Sequence, residues 1–295
     1  MRAFLFPGQG SQKVGMAAGL LRARFQEADE ALGFSLSKII DEGPEAELTR
    51  TANTQPAILT VSIAWADQLA ARGVTAEVAA GHSLGEYSAL VYAGALEFAD
   101  AVRLVHLRGT FMQAAVPEGV GAMAAIIGLD SSTVRDTCSE ASPDASDACQ
   151  PANFNGAGQV VIAGHRGAVE RAMLLAKQKG AKLVKALPVS APFHSALMAP
   201  AAEKLRAELE RVKVSPLRVP VVANVTAEPN QDPSRVKDLL YKQVTGSVRW
   251  EETIAGLVKA GVDEAYEVGP GAVLAGLCKR IAPSIKMGKM GALHG

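Results

Sequence analysis

Cysteine is scarce in this chain. Cys138, Cys149 and Cys278 are its only three, widely spaced and without a C-x-x-C pair. Neither a disulfide framework nor a thiolate metal site is expected from them. They read as reduced thiols of a cytoplasmic protein. Excess charge is missing too, since 30 Lys and Arg balance 30 Asp and Glu. That argues against a nucleic-acid partner, which usually calls for a basic surplus, but leaves room for a local basic patch. No apolar run reaches the roughly 20 residues that cross a bilayer, so no membrane partner is expected. Met1–Phe6 enters an apolar strand directly, without the pattern of a secretory leader. There is no internal repeat. The stretch 144–150 reads as a polar loop, and the Gly- and Lys-rich residues after Ile285 read as a fraying tail.

What is present is enough apolar material for a sizeable core, 48% of 295 residues. Ala3–Phe6 reads as a strand running into the turn PGQGSQ. Asn53 or Thr54 is read as the cap of a helix with Pro56 in its first turn. Glu77–Ala80 is a short strand, then come GHSLG, a helix to Tyr92, and another helix over Asp100–Ala115. Strands alternating with helices predict an α/β domain with a mainly parallel sheet. The middle differs. Strands at 122–128, 152–154, 159–163 and 182–189, with helices at 131–140 and 167–179, give the order βαββαβ, a ferredoxin-like pattern. Helices at 199–212, 236–244, 250–260 and 273–281 and strands at 219–224 and 264–268 complete the chain. The expectation is a hydrolase-like catalytic domain of 1–118 and 190–295, with a ferredoxin-like small domain of 119–189 inserted in it.

Gly81-His82-Ser83-Leu84-Gly85 matches G-x-S-x-G between an apolar strand and a helix. In such an elbow the glycines avoid clashes, the serine hydroxyl is lifted into the open, and the next backbone N–H, here Leu84, can face an oxyanion. Ser83 is thus the candidate nucleophile, and it needs a base at neutral pH. Of five histidines, His82 is too close on a tight turn, His106 lies on a helix, His165 follows a strand in a turn, and His294 is in the tail. His194, bracketed by Pro188 and Pro192, is left by elimination. No acid between Ser83 and His194 announces itself, so a carboxylate or a carbonyl remains open as its orienting partner. On the helix 100–115, Leu104, Leu107, Phe111 and Ala115 are read as the inward stripe, and Arg108 falls on it. Its guanidinium needs either an internal Asp or Glu or a substrate carboxylate.

Together, FPGQGSQ, ANTQPAI, GHSLGEYSAL, RGTFMQ, PVSAPFHSALM, QVTGSVRWE and EVGPGAVLAGLCKRI resemble, in order and along almost the whole chain, the malonyl-CoA:acyl carrier protein transacylases of bacterial fatty acid synthesis. The resemblance implies a malonyl ester on Ser83 and His194 as general base and acid. It implies an oxyanion hole from the N–H groups of Gln9 and Leu84, and Arg108 on the malonyl carboxylate. Gln243 would orient His194 through its backbone carbonyl. It further implies malonyl-CoA as substrate, holo acyl carrier protein as partner, and no bound cofactor or metal. A monomer is expected. Lys177, Lys179, Lys182 and Lys185 form a basic cluster that either meets an acidic carrier protein or is an ordinary solvated face. Ala157 stands where this family's pattern has proline, and is expected to soften a turn. A polyketide-synthase acyltransferase and a serine thioesterase or hydrolase are the rival readings.

Overall fold

A computed structural model describes residues 1–189 and 191–288. Its elements begin with β1 (Arg2–Phe6), α1 (Ala23–Leu32), α2 (Leu36–Glu42), α3 (Glu45–Thr49), α4 (Thr51–Ala70), β2 (Val78–Gly81), α5 (Gly85–Tyr92) and α6 (Phe98–Gln113). The middle of the chain forms β3 (Gly121–Ile127), α7 (Ser131–Ala141), β4 (Cys149–Gly156), β5 (Gln159–His165), α8 (Arg166–Gln178) and β6 (Leu183–Ala186). The remainder is α9 (Ala199–Arg211), β7 (Val221–Val222), β8 (Pro229–Asn230), α10 (Pro233–Thr245), α11 (Trp250–Lys259), β9 (Glu264–Glu267), α12 (Val273–Ile281) and β10 (Lys286–Met287).

The larger sheet has the order β10-β9-β1-β2-β7-β8 and is parallel except for the β7–β8 pair. Helices cover both of its faces. Phe4 and Phe6 point into a core with Ile58, Tyr87 and Val105, while Ala3 and Leu5 point into another with Trp250, Ile254 and Leu277. Burial on both faces is why β1 reads as an unbroken apolar run rather than an alternating one. The smaller sheet, β4-β5-β3-β6, is antiparallel throughout. One face packs on α7 and α8 through Ala124, Ile126, Val134 and Ala172. The other carries Met123, Ala125 and Val161, with Leu187 and Phe193 against them. The smaller sheet is tied to the connection between α10 and α11, where Phe154 N–H donates to Val248 O at 2.9 Å and Val248 N–H donates to Ala152 O at 2.8 Å. Among the described residues, no helix is long and apolar enough to cross a membrane.

Several local expectations are corrected. Helix α4 starts at Thr51, so Asn53 and Thr54 lie inside it and Pro56 is an interior proline. Proline lacks the N–H that would bond Ala52 O, and His106 Nδ1 lies 2.9 Å from that carbonyl instead. This gives His106 a structural task. The buried face of α6 is Leu104, Val105, Arg108, Gly109 and Met112, whereas Leu107, Phe111 and Ala115 are only half-buried. Gly109 is on that face because a Cβ there would lie 2.5 Å from Thr51 O. Ala157 sits in a tight turn. With Gly158 it forms a two-residue hairpin loop between β4 and β5, at φ 52° and 72°. Proline cannot adopt positive φ, so it has no place in this geometry. His165 ends β5 rather than sitting in a turn, and Gln150 belongs to β4 rather than a loop. The expected strand over 182–189 stops at Ala186, and the one over 219–224 shrinks to two residues. Lys286–Met287 pairs with β9, so the tail does not fray at once. Ser190 at the expected domain boundary, the tail from 289, and His294 lie outside the described residues.

Candidate active site

The site lies at the carboxyl ends of β1, β2 and β7, the usual place for ligands on an open parallel sheet. Only three residues separate the end of β2 at Gly81 from the start of α5 at Gly85. A Cβ on Gly81 would sit 1.9 Å from the Gly85 carbonyl carbon, and one on Gly85 would sit 2.0 Å from Phe6 O. The turn forces Ser83 to φ 52°, a conformation that costs an L-residue about 1–2 kcal/mol. Hydrogen bonds from distant elements hold it there. Ser83 N–H donates to Asn224 Oδ1 at 2.7 Å, Asn224 Nδ2 donates to Gly81 O at 2.6 Å, and Gln243 Nε2 donates to Ser83 O at 2.9 Å. The PGQG turn lies against the elbow, since a Cβ on Gly8 would be 2.5 Å from His82 O. Gln9 and Leu84 therefore line the same cavity as Ser83. Among the described residues, neither of their backbone N–H groups has a hydrogen-bond acceptor.

His194 is buried and also in the left-handed region, at φ 58°. Its Nε2 lies 2.7 Å from Ser83 Oγ, while Nδ1 lies 2.9 Å from Gln243 O and 3.1 Å from Gly246 O. Carbonyls only accept, so Nδ1 carries the proton and Nε2 is free to accept the serine hydroxyl's. Two carbonyls thus stand where an acid would be sought. Gln150, on β4, braces the backbone at His194 and at Thr245, the latter between the two carbonyls that face Nδ1. Its Nε2 donates to His194 O and to Thr245 O, each at 3.2 Å, and its Oε1 accepts from Ala196 N–H at 3.1 Å. Burial, helped by the charge of Arg108, pushes the His194 pKa down to about 3.

Arg108 is 1% exposed. It donates to Gln55 Oε1 at 2.8 Å, to Gln243 Oε1 at 2.9 Å and to Ser83 Oγ at 3.2 Å. Among the described residues its Nε has no partner, and the Tyr87 ring lies 5.4 Å below the guanidinium. Among the described residues, no carboxylate forms an ion pair with it. A buried cation held only by amide and hydroxyl oxygens is expensive unless an anion joins it. The cavity around these groups measures about 550 Å³ and is closed on one side by the small sheet, through Met123, Asn153 and Val161.

The structure brings Ser83, His194, Arg108, Gln243, Gln9 and Leu84 together in one place. His82 turns aside to Asn155 Oδ1 at 2.9 Å. The four lysines are exposed and away from the cavity, with Lys179 paired to Glu140 at 2.6 Å. Sequence reasoning missed Gln55, Glu86, Gln150, Asn155 and Asn224. For Glu86 a signal existed, because it is the only acidic residue between Glu77 and Glu97 in a largely apolar stretch. As chemistry, the arrangement supplies a hydroxyl with an imidazole acceptor, two free amide N–H groups, and a cation beside the hydroxyl.

A family model for the acyl transferase domain matches residues 3–291. The malonyl CoA-acyl carrier protein transacylase of Escherichia coli (strain K12) is 49% identical, covering 96% of this chain and 93% of the relative. The structure of an acyl carrier protein S-malonyltransferase from Vibrio cholerae is 45% identical, with a TM-score of 0.94, covering 97% of this chain and 95% of that one. A malonyl-transacylase solved in complex with its type II PKS acyl-carrier protein is 45% identical, also with a TM-score of 0.94, covering 97% and 94%. The chain belongs to the acyl transferase domain family, among the malonyl CoA-acyl carrier protein transacylases.

Proposed function

We propose that this chain moves malonyl from malonyl-CoA to the phosphopantetheine thiol of an acyl carrier protein, through an ester on Ser83. The observation that carries this reading is Arg108, a buried cation without a carboxylate, 3.2 Å from Ser83 Oγ. A malonyl carboxylate fits the guanidinium fork, and the serine then meets the thioester carbonyl at the other end of a short acyl group.

In the first half-reaction His194 Nε2 takes the Ser83 proton as Oγ attacks the thioester carbon. The N–H groups of Gln9 and Leu84 receive the oxyanion. The tetrahedral intermediate collapses, His194 returns the proton to the leaving sulfur, and coenzyme A departs. In the second half the carrier thiol gives its proton to His194 and attacks the ester, and Ser83 recovers its own proton. The Gln243 carbonyl keeps the imidazole in the needed tautomer. Burial, and after it the charge of Arg108, depresses the basicity of His194. A bound carboxylate offsets that charge, so the donor helps to switch on the base. This chemistry calls for no bound cofactor.

In this reading the frame is a hydrolase-like domain of 1–118 and 190–295, with a ferredoxin-like insert of 119–189 roofing the ester against water. The antiparallel order β4-β5-β3-β6 supports the second label. Three free, buried thiols fit a cytoplasmic setting.

The test is mass spectrometry of the protein mixed with malonyl-CoA. Wild type should gain a malonyl adduct at Ser83 and Ser83→Ala should not, so an adduct on the variant would refute the assignment. The match to a type II PKS pair keeps a polyketide carrier as a second reading, which a survey of carrier proteins separates. Release of free malonate faster than transfer would point to a hydrolase instead.

A further inference from the structure

Glu86 is a buried carboxyl that the chemistry above leaves unused. It lies in the first turn of α5, three residues after the nucleophile, and is 3% exposed. Its Oε2 accepts from Gln243 Nε2 at 2.8 Å and from Asn224 N–H at 3.0 Å. The other end of the same Gln243 amide, Oε1, accepts from Arg108 Nη2 at 2.9 Å. An ionised carboxylate can only accept, so it decides which end of the amide faces it and therefore which end faces Arg108. With the amide reversed, its NH2 would oppose the guanidinium, donor against donor. Gln243 Nε2 also holds Ser83 O. A single amide thus links a carboxyl, a guanidinium and the elbow.

A buried arginine needs a counter-charge. A carboxylate bonded directly to Arg108 would meet that need but occupy the fork. Glu86 stands one amide away, near enough to act on the cation and too far to block it.

We propose that Glu86 is a specificity-determining positioning residue: the resident counter-charge of Arg108, relayed through Gln243, which sets how strongly Arg108 holds an acyl donor's carboxylate. The proposal rests on the reading of Arg108 as the carboxylate site. When the donor binds, two anions share one cation, so an ionised Glu86 weakens the donor's hold unless it takes up a proton. Burial pushes its carboxyl up to about 7, which places that exchange near neutral pH. Among the neighbouring titratable groups, Tyr87, His194 and Arg108 keep one charge state there. Tyr87 is pushed up to about 12, His194 is pushed down to about 3, burial also lowers His82, and Arg108 on α6 stays a cation. Of the other elements packed on α5, β1 and α4 carry Arg2 and Asp67, which pair with Glu264 and Arg24 instead. Strands β2 and β7 carry no ionisable side chain.

The test follows ester formation on Ser83 from pH 6 to 8, with malonyl-CoA and acetyl-CoA, in wild type and Glu86→Gln. The glutamine keeps the shape and an acceptor oxygen while losing the charge. In wild type, the malonyl-CoA concentration for half-maximal rate should rise roughly tenfold from pH 6 to 8, tenfold being the linkage of one proton per pH unit above 7. The acetyl-CoA value should stay flat, because that donor has no carboxylate. In Glu86→Gln the malonyl value should be flat and low. The same profile for both donors, or a rise that survives in Glu86→Gln, would overturn the proposal. Should the variant fail to fold, the wild-type comparison of donors decides alone. Absence of any malonyl ester on wild-type Ser83 would sink the malonyl reading itself, and this proposal with it.

Discussion

Replacing Arg108 with alanine separates the chemistry of this site from its architecture. The guanidinium is buried and spends its hydrogen bonds on Gln55 Oε1, Gln243 Oε1 and Ser83 Oγ. A malonyl carboxylate on that fork would gain two hydrogen bonds to a charged group, each about 1.5–3 kcal/mol. Losing about 3–6 kcal/mol lowers kcat/KM for malonyl-CoA by roughly 10²–10⁴-fold. Acetyl-CoA has no carboxylate to lose. Arg108 is also the second cause, after burial, of the low His194 pKa, so its removal leaves a stronger base. Ester formation from acetyl-CoA should therefore hold or rise. Truncation strands Gln55 Oε1 and Gln243 Oε1 at about 1–3 kcal/mol each, partly offset by removing a buried cation. Thermal unfolding must first show a folded variant. The assay is quenched-flow mass spectrometry of Ser83 with each acyl donor. Equal losses for both donors in a folded protein would refute the carboxylate role and leave Arg108 as a structural arginine.

With His194 pushed down to about 3 rather than the ordinary 6.5, the base stays neutral down to mildly acid pH and its activity is lost only as pH falls toward that lower value. Ester formation from acetyl-CoA should thus hold from pH 8 to 5, and a fall centred near 6.5 would contradict the burial argument. Gly85→Ala puts a Cβ 2.0 Å from Phe6 O, so a stability loss of about 3 kcal/mol or more is expected, and a wild-type melting curve would show that the elbow tolerates a side chain. Gln150→Leu removes the brace on the His194 and Thr245 carbonyls. With a hydrogen bond worth about 1 kcal/mol, kcat should drop several-fold at unchanged KM, and an unchanged kcat would dismiss the brace.

The parts of this protein legible in its sequence are those whose signal is local. Strand β1 shows as an apolar run because both its faces are buried, and the elbow shows because Gly81 must lack a Cβ against the Gly85 backbone four residues on, although Gly85 itself is required by the distant Phe6 carbonyl. Arg108 stood out as a charge on an apolar helix face, although the face itself is turned toward Val105 and Met112 rather than Leu107 and Phe111. The partners that tune the site have no such signal. Gln243 reaches Ser83 and Glu86 across 160 and 157 residues, and Asn224 reaches Ser83 across 141. A backbone carbonyl that orients His194 is identical in every residue type, so nothing at position 243 could announce it without a resemblance to lean on. The sequence by itself determined the first strand, the elbow and the charge. Only the tertiary structure decided which buried amides surround that charge, because close packing brings together side chains that chain order keeps far apart.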